Sequence, residues 1–521
     1  MPPFSCIHGN SRIQKHKSLH FHSSRPANSP PFLNPNLHLQ FTQLAHKYGP
    51  VYKLWLGSQL SVVISSPSLI KEVVRDHDTI FANHDPSVAG IVATGGLDIV
   101  WSPYGKYWRD MRKLFAREML SNNNLQASYG LRREEVRRVI GDIVNTKIGK
   151  PIEIGEFVFR TELNVIMSLL WGGLIDQEER DRLGAEFRVK ISKVVDLMGK
   201  PNVSDFFPGL ARFDFQGVER DMRSILPGLE QIFDSVIDAR MKIMTAGDEN
   251  KDESRKDFLG VLLELKEQEV GKTSSFGLTQ IKAILLDMVI GATDTTSTTI
   301  EWVLAELLDN PGAMEKAQQE LTHVVGMNNI VEESHISKLH YLEAVVKETF
   351  RLHPALPLLL PRMPNESRII GGYTIPKDSK VFLNTWSIYR DPQVWEDPLQ
   401  FKPDRFLNDD TGKFDYMGNN FEYLPFGSGR RMCPGLILGE KMVMYFVATL
   451  LHSFEWRLPE GKRVDLLEQF GIVMRRKTPL FAIPYQRLQS LDLSLSKDCF
   501  RLTTGSLLGQ PIVLGLCVDG Q

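Results

Sequence analysis

The chain has 521 residues, a formal net charge of −2, 42% hydrophobic residues and 24% charged ones. That balance describes a globular body and excludes a nucleic-acid partner attracted by net charge. Length alone suggests about three domains at ~150 residues each, yet no linker and no internal repeat divides the chain, so one large domain is expected over residues 37–490.

Residues 1–36 are rich in His, Ser, Asn and Pro (Pro26, Pro30, Pro31, Pro35), and their longest apolar runs are two or three residues. A membrane-spanning helix needs ~20 apolar residues, and a signal peptide needs an apolar core; neither is seen, so this segment is expected to be irregular and without a membrane anchor. From Leu37 to Tyr48 an amphipathic helix is expected. Val51–Leu56 and Ser61–Ser65, around Gly57, read as a β-hairpin, and Pro67 opens another helix.

Trp108 and Arg112 lie four apart inside Trp101–Leu120, hence on one helix face. Lys106, Arg109, Lys113 and Arg117 add positive charge to that helix, as a solvated face or as a docking patch for an acidic partner. Residues 125–270 read as a series of helices. Asn202–Phe213 interrupts them with Pro208 and Gly209, and Ala246–Lys256 reads as a solvated loop.

Thr279–Leu308 is a long helix, too polar in its middle for a membrane span. The hydroxyl residues between Thr293 and Thr299, beside Asp294, compete for backbone hydrogen bonds and predict a local distortion. Glu348 and Arg351, three apart, share a helix face. Ala355–Pro361 is an apolar, proline-stiffened strand expected to line a cavity, and Phe401–Phe406 supplies Arg405. After the stretch Phe426–Gly435 comes a helix over Leu436–Phe454, then a hairpin over Gly471–Ile483. Residues 491–521 are expected to form an irregular tail.

Cys433 is the one cysteine between the tails, because Cys6, Cys499 and Cys517 all lie outside residues 37–490. With four cysteines and no close spacing, a reducing compartment such as the cytosolic side of a membrane is indicated. A lone internal thiol makes neither a disulfide nor a tetrahedral zinc site, but it can serve as a single axial thiolate to a haem iron. Gly429 and Gly435 let backbone press close to a flat macrocycle. Backbone N–H groups and the helix starting after Pro434 would favour the anionic sulfur, and Phe426 can cover the proximal side.

The decapeptide Phe-Gly-Ser-Gly-Arg-Arg-Met-Cys-Pro-Gly resembles the haem-binding signature of the cytochromes P-450, with Phe426, Gly429, Arg431, Cys433 and Gly435 in its fixed places. Gly291-Ala292-Thr293-Asp294-Thr295 resembles the family's oxygen-activation segment, with Ala292 where Gly is usual. The resemblance covers about residues 37–490 and is closest to plant microsomal hydroxylases. It implies a mainly α fold with a small β lobe, and haem b (iron protoporphyrin IX) bound through Cys433. Trp108, Arg112, Arg362 and Arg431 are then propionate donors, suited to that task because an indole N–H and guanidinium groups only donate.

Glu348, Arg351 and Arg405 become a buried charged network that locks the loop before Cys433. Thr295 would donate to dioxygen, and Asp294 would feed protons from solvent. The implied reaction inserts one oxygen atom from O2 into a small apolar plant metabolite, guessed to be a terpenoid or a phenylpropanoid/flavonoid. Electrons would come from NADPH through a flavoprotein reductase, at the cytosolic face of the endoplasmic reticulum membrane. Two alternatives are an isomerase or dehydratase acting on a peroxide, and a non-catalytic haem binder or truncated product.

Overall fold

The computed structural model describes residues 36–172, 177–246, 257–268, 276–407 and 414–488. The expectations for residues 1–35, for most of 246–256 and for 491–521 lie outside them. The long helix runs over Leu278–Asp309, 32 residues, or about 48 Å at ~1.5 Å per residue. Apolar side chains bury on every side of it (Ile281, Ile284, Leu285, Val289, Ile300, Trp302, Val303, Leu307), which is the pattern of a helix at the centre of a core. It packs most extensively on the helix Ile154–Trp171 and also on the helix Leu436–Ser453.

Two apolar cores meet along this central helix. One gathers Ile281–Val289 with the helices Ile154–Trp171, Gln177–Gly199 and Val218–Ala246. The other gathers Ile300–Leu307 with the helices His340–Leu352 and Leu436–Ser453 and with the main sheet. Each fully buried Leu, Ile or Val contributes about 1.5–3 kcal/mol. The hydroxyl-rich stretch Thr293–Thr299 belongs to neither core and lies between them. The predicted distortion there is absent, and the helix is unbroken. Thr293, Thr295 and Thr299 each donate to the carbonyl four residues back and Ser297 to the carbonyl of Asp294, which satisfies the hydroxyls without opening the backbone. Looser π-type turns occur instead at Glu72–Asp76, Phe115–Met119 and Ile143–Lys147.

The β lobe is a five-stranded sheet in the order Val51–Leu56, Gln59–Ile64, Lys380–Leu383, Arg362–Met363, Asn83–His84. The first two strands form the expected hairpin (Val51 opposite Ile64), and Gln59–Ile64 then pairs in parallel with Lys380–Leu383. Two expectations need correction. Ala355–Pro361 forms no strand: Pro354, Pro357 and Pro361 offer no N–H, and the segment is held by donors from elsewhere, Met474 N on Ala355 O (2.8 Å) and Trp386 N on Pro357 O (2.9 Å). The terminal hairpin, expected over Gly471–Ile483, lies earlier and is shorter, pairing Glu468–Gln469 with Arg475–Arg476. Phe481–Gln486 turns away to pair with Phe454–Arg457 and Ile152–Glu153.

Leu436–Ser453 is the one described helix long and apolar enough to cross a membrane, and 78% of it is buried inside the protein. Glu162, on Ile154–Trp171, is buried with Oε1 unpartnered among the described residues, and burial pushes its carboxyl up to about 8 from 4.5. Between those two values the native state keeps a proton that the unfolded chain has released, so rising pH favours unfolding. Stability of the wild type relative to Glu162→Gln should therefore fall as pH climbs through that window, by on the order of 5 kcal/mol, as read by urea unfolding at a series of pH values.

Candidate functional site

Cys433 stands at the end of a tight loop and at the head of Leu436–Ser453, the helix that packs on the central helix. The loop closes by backbone hydrogen bonds: Gly427 N to Leu424 O (3.0 Å), Met432 N to Gly429 O (3.1 Å) and Cys433 N to Phe426 O (2.9 Å). Gly429 has φ +70°, and a Cβ there would meet Val74 O at 2.3 Å. Its need for glycine therefore comes from the turn Glu72–Asp76 pressed against it. Asp78 seals the same contact, accepting from Arg430 N (3.1 Å) and Arg430 Nη1 (2.8 Å). Phe426 packs edge-on against Phe350 and Tyr416.

Cys433 as a residue is half-buried, and burial of its thiol raises the pKa above the usual value. The Gly435 N–H and Arg112 pull it down, and Asp287 pushes it up. The backbone donors expected to favour the anion are thus outweighed by desolvation, and a cation bound at sulfur is what would hold it as thiolate.

Four pure donors converge on this loop, and the partners observed for them are carbonyl oxygens. Trp108 Nε1 donates to Ile99 O (2.9 Å), Arg112 Nη2 to Met432 O (2.6 Å) and Arg362 Nη2 to Ser428 O (3.0 Å). Arg431 donates to Ala82 O, to Ile99 O (2.9 Å) and to Ser102 O (2.7 Å), with its guanidinium over the Trp108 ring at 4.5 Å. Burial lowers Arg362 to about 10, and burial together with Arg362 lowers Arg431 to about 9. Buried cations are costly without an anion, so this cluster fits a ligand carrying carboxylates beside a sulfur-bound metal. His84, buried beside them, is held neutral by burial and by Arg362 and Arg431. No motif marked it, because a lone histidine carries no sequence signal.

Behind the loop, Glu348 and Arg351 are both fully buried, joined at 2.7 and 2.8 Å, and Arg405 Nε reaches Glu348 at 3.0 Å. Arg351 also donates to Tyr389 O (2.6 Å), whose hydroxyl accepts from Leu424 N (2.7 Å), two residues before Phe426.

On the central helix, Thr295 is half-buried and donates to Gly291 O at 2.8 Å. A Cβ built at Gly291 would meet nothing within 4 Å, so the space beside that residue, one turn before Thr295, is open. Asp294 faces away toward Arg475, which reaches its Oδ1 at 2.7 and 3.0 Å. Arg475 carried no motif in the sequence. Neither did Asp98 and Asp287, two carboxylates gripping one turn: Ile99 N donates to Asp287 (3.1 Å) and Trp101 N to Asp98 (2.9 Å). Burial raises the pKa of both.

A lone half-buried thiol, a group of cations without a carboxylate in contact among the described residues and a central helix with open space beside Gly291 suit a haem-thiolate type of centre. The chain belongs to the cytochrome P450 family, whose model matches residues 30–483, and that family implies a haem cofactor. It is 38% identical over 461 residues to a carnosic acid synthase of Salvia pomifera, covering 87% of this chain and 90% of that protein. It is also 38% identical over 466 residues to a flavonoid 3'-monooxygenase of Crocosmia x crocosmiiflora, covering 88% and 90%. Against a solved zebrafish cytochrome P450 with progesterone, the TM-score is 0.73 at 24% identity, over 86% of this chain and 99% of that one. The chain is a cytochrome P450 monooxygenase of plant type with the mainly helical fold of the family.

Gly429→Ala should cost about 2–4 kcal/mol, from strain at positive φ and collision with Val74 O. Gly435→Ala, where a Cβ meets nothing closer than Cys433 Sγ at 3.9 Å, should cost less than about 1 kcal/mol. Denaturant midpoints of the two purified variants check the contrast.

Proposed function

We propose that this enzyme inserts one oxygen atom from dioxygen into a small apolar plant metabolite of terpenoid or phenylpropanoid/flavonoid type. Electrons come from NADPH through a flavoprotein reductase at the cytosolic face of the endoplasmic reticulum membrane, and residues 37–490 form the catalytic domain. The observation that carries the reading is the set of pure donors around Cys433 that, among the described residues, meet carbonyl oxygens and no carboxylate in hydrogen-bond contact. The substrate class rests on relatives named as a carnosic acid synthase, a flavonoid 3'-monooxygenase and an 11-hydroxysugiol 20-monooxygenase. Exposed Leu210, Phe213 and Phe215, close to the Pro208–Phe213 turn, offer an apolar face to a membrane and to substrates dissolved in it.

Haem supplies the oxygen-activating chemistry when bound. Cys433 would ligate its iron through sulfur, with the Gly435 N–H and Arg112 stabilising the thiolate. Trp108, Arg112, Arg362 and Arg431 would turn from backbone carbonyls to the propionates, and Phe426 would shield the sulfur side from water. Thr295 would swing its hydroxyl from Gly291 O into that open space, and Asp294 would hold the proton that Thr295 passes on. The half-buried Leu356, Leu359 and Leu360 would hold the substrate's apolar surface and exclude water, which would fix the orientation of the reacting C–H bond; Leu358, expected with them, packs instead into the β-lobe core with Phe41, Tyr52 and Phe382.

Reduced wild type under carbon monoxide should show the strongly red-shifted Soret band of thiolate ligation, and Cys433→Ser should lose both band and turnover. Thr295→Ala should keep the band but release peroxide in place of product, on the order of tenfold more per NADPH consumed. Turnover that needs no NADPH and no reductase would instead identify an isomerase or dehydratase working on a peroxide. A wild type without the band would mark a non-catalytic product.

A further inference from the structure

Asp294 is gripped asymmetrically. Arg475 places two donors, Nε at 3.0 Å and Nη2 at 2.7 Å, on the same oxygen, Oδ1. The other oxygen, Oδ2, is buried and has no partner among the described residues. The third nitrogen of Arg475, Nη1, reaches Asp196 Oδ1 at 3.0 Å, on the last turns of the helix Gln177–Gly199. Exposure grades along this line: the Asp294 side chain is 5% exposed, Arg475 35% and Asp196 64%.

A guanidinium stays protonated in proteins and passes no proton itself. Its action on Asp294 is therefore charge and orientation. With Oδ1 held by two charge-assisted hydrogen bonds, a proton arriving at the carboxyl resides on Oδ2. We propose that Arg475 is the positioning residue of the proton-delivering acid: it locks Oδ1 of Asp294 so that Oδ2 is the atom that takes up and hands on the proton. Asp196 holds Arg475 in place from outside. This inference rests on the reading of Asp294 as proton carrier given above.

The hairpin bearing Arg475 is anchored well enough for that task. Met474 N donates to Ala355 O at 2.8 Å, and Trp302 Nε1 on the central helix reaches Met474 O at 3.4 Å. At the other side, Gly471 and Ile472 lie against Gly199, where a Cβ would meet Ile472 N at 2.9 Å. That close approach is one helical turn from Asp196, so the helix Gln177–Gly199 and the hairpin are joined twice within a few ångströms. The charges acting on Asp294 are Arg475, which favours its ionised form, and Asp196, which opposes it.

The test compares the holoenzymes of R475Q, R475K, D196N and D294N, reconstituted with reductase. R475Q should release about tenfold more peroxide per NADPH, approaching D294N. Its coupling-versus-pH profile should move to higher pH, because a buried carboxyl that loses its cation holds its proton longer. R475K, with one compact ammonium, should restore part of both effects, and D196N should show about a twofold to threefold rise in peroxide. Independently of turnover, R475Q should gain the infrared carbonyl band of a protonated carboxyl at neutral pH, and R475Q/D294N should lack it. If D294N uncouples while R475Q and R475K keep wild-type coupling and show no new band, Arg475 has no such role. If D294N itself stays coupled, the proton-carrier reading beneath it falls instead. Should R475Q fail to fold, R475K decides, since a smaller shift in the same direction supports the assignment and none overturns it.

Discussion

Positive charge gathered where water is scarce, with Asp78 and Asp98 acting only at a distance and no carboxylate in direct contact among the described residues, is the constraint around which this molecule is arranged. Arg362 is 3% exposed and Arg431 lies close enough to be repelled by it. Neither repulsion nor desolvation is tolerated without reason in a folded chain. The fold meets part of the cost by bending main chain inward, so that carbonyls of Phe81, Ala82, Ile99, Ser102, Ser428 and Met432 face the guanidinium groups. Those carbonyls come from the β lobe, from the turn before the Lys106–Leu114 helix and from the cysteine loop itself. The three segments are distant in sequence and are held together by what they jointly solvate. A cofactor with two carboxylates satisfies the same donors more fully than dipoles can, which ties the chemistry of the site to the packing of the whole centre.

The opposite strategy operates one layer behind. Glu348 and Arg351 are fully buried but matched, with nearly every oxygen and nitrogen occupied by Arg405, Lys402 N or carbonyls of Tyr389, Pro398 and Gln400. A pair in that state is not a source of large net stability, whereas losing one member leaves an uncompensated charge worth about 3–5 kcal/mol. Its consequence is geometric. Tyr389 joins the network to Leu424, and the rings of Trp395, Phe406, Tyr423, Tyr416 and Phe350 carry the rigidity on to Phe426. The cysteine loop thus rests on a platform of matched charges and closely packed rings.

Which parts could be read from the sequence follows from the distance over which each is specified. Cys433, the pair Trp108 and Arg112, and the pair Glu348 and Arg351 sit in short windows whose spacing already says which face they share. The helices Leu37–Tyr48 and Leu278–Asp309 were legible for the same reason, through apolar spacing. The partners that give these residues their environment were not. Arg475 meets Asp294 across 181 positions, and Asp287 reaches Ile99 across 188; nothing local marks such pairs. Ala355–Pro361 misled because proline-stiffened apolar chain looks like a strand until one asks who accepts and who donates. The hydroxyl cluster misled in the other direction, since back-bonding to the preceding turn costs the helix little.

The same division explains why the reaction is more legible than its substrate. Residues that hold charge and hydrogen bonds around Cys433 have few acceptable replacements, so they leave motifs. The segments proposed to bound the substrate site are pinned differently. Ala355 and Pro357 are held through their carbonyls, Gly199 through backbone contact with Ile472, and the Val203–Phe206 turn through Asp205 on Val88 N and Asn202 on Ser204 N. With Ala355 and Pro357 anchored through main chain, the half-buried Leu356, Leu359 and Leu360 can change size at costs of about 1–3 kcal/mol that a domain absorbs, whereas Leu358 is fixed in the β-lobe core. Shape there is set by packing rather than by hydrogen bonds, and packing of apolar groups is degenerate in sequence. The side chains at these half-buried positions are therefore ones whose identity the fold does not enforce.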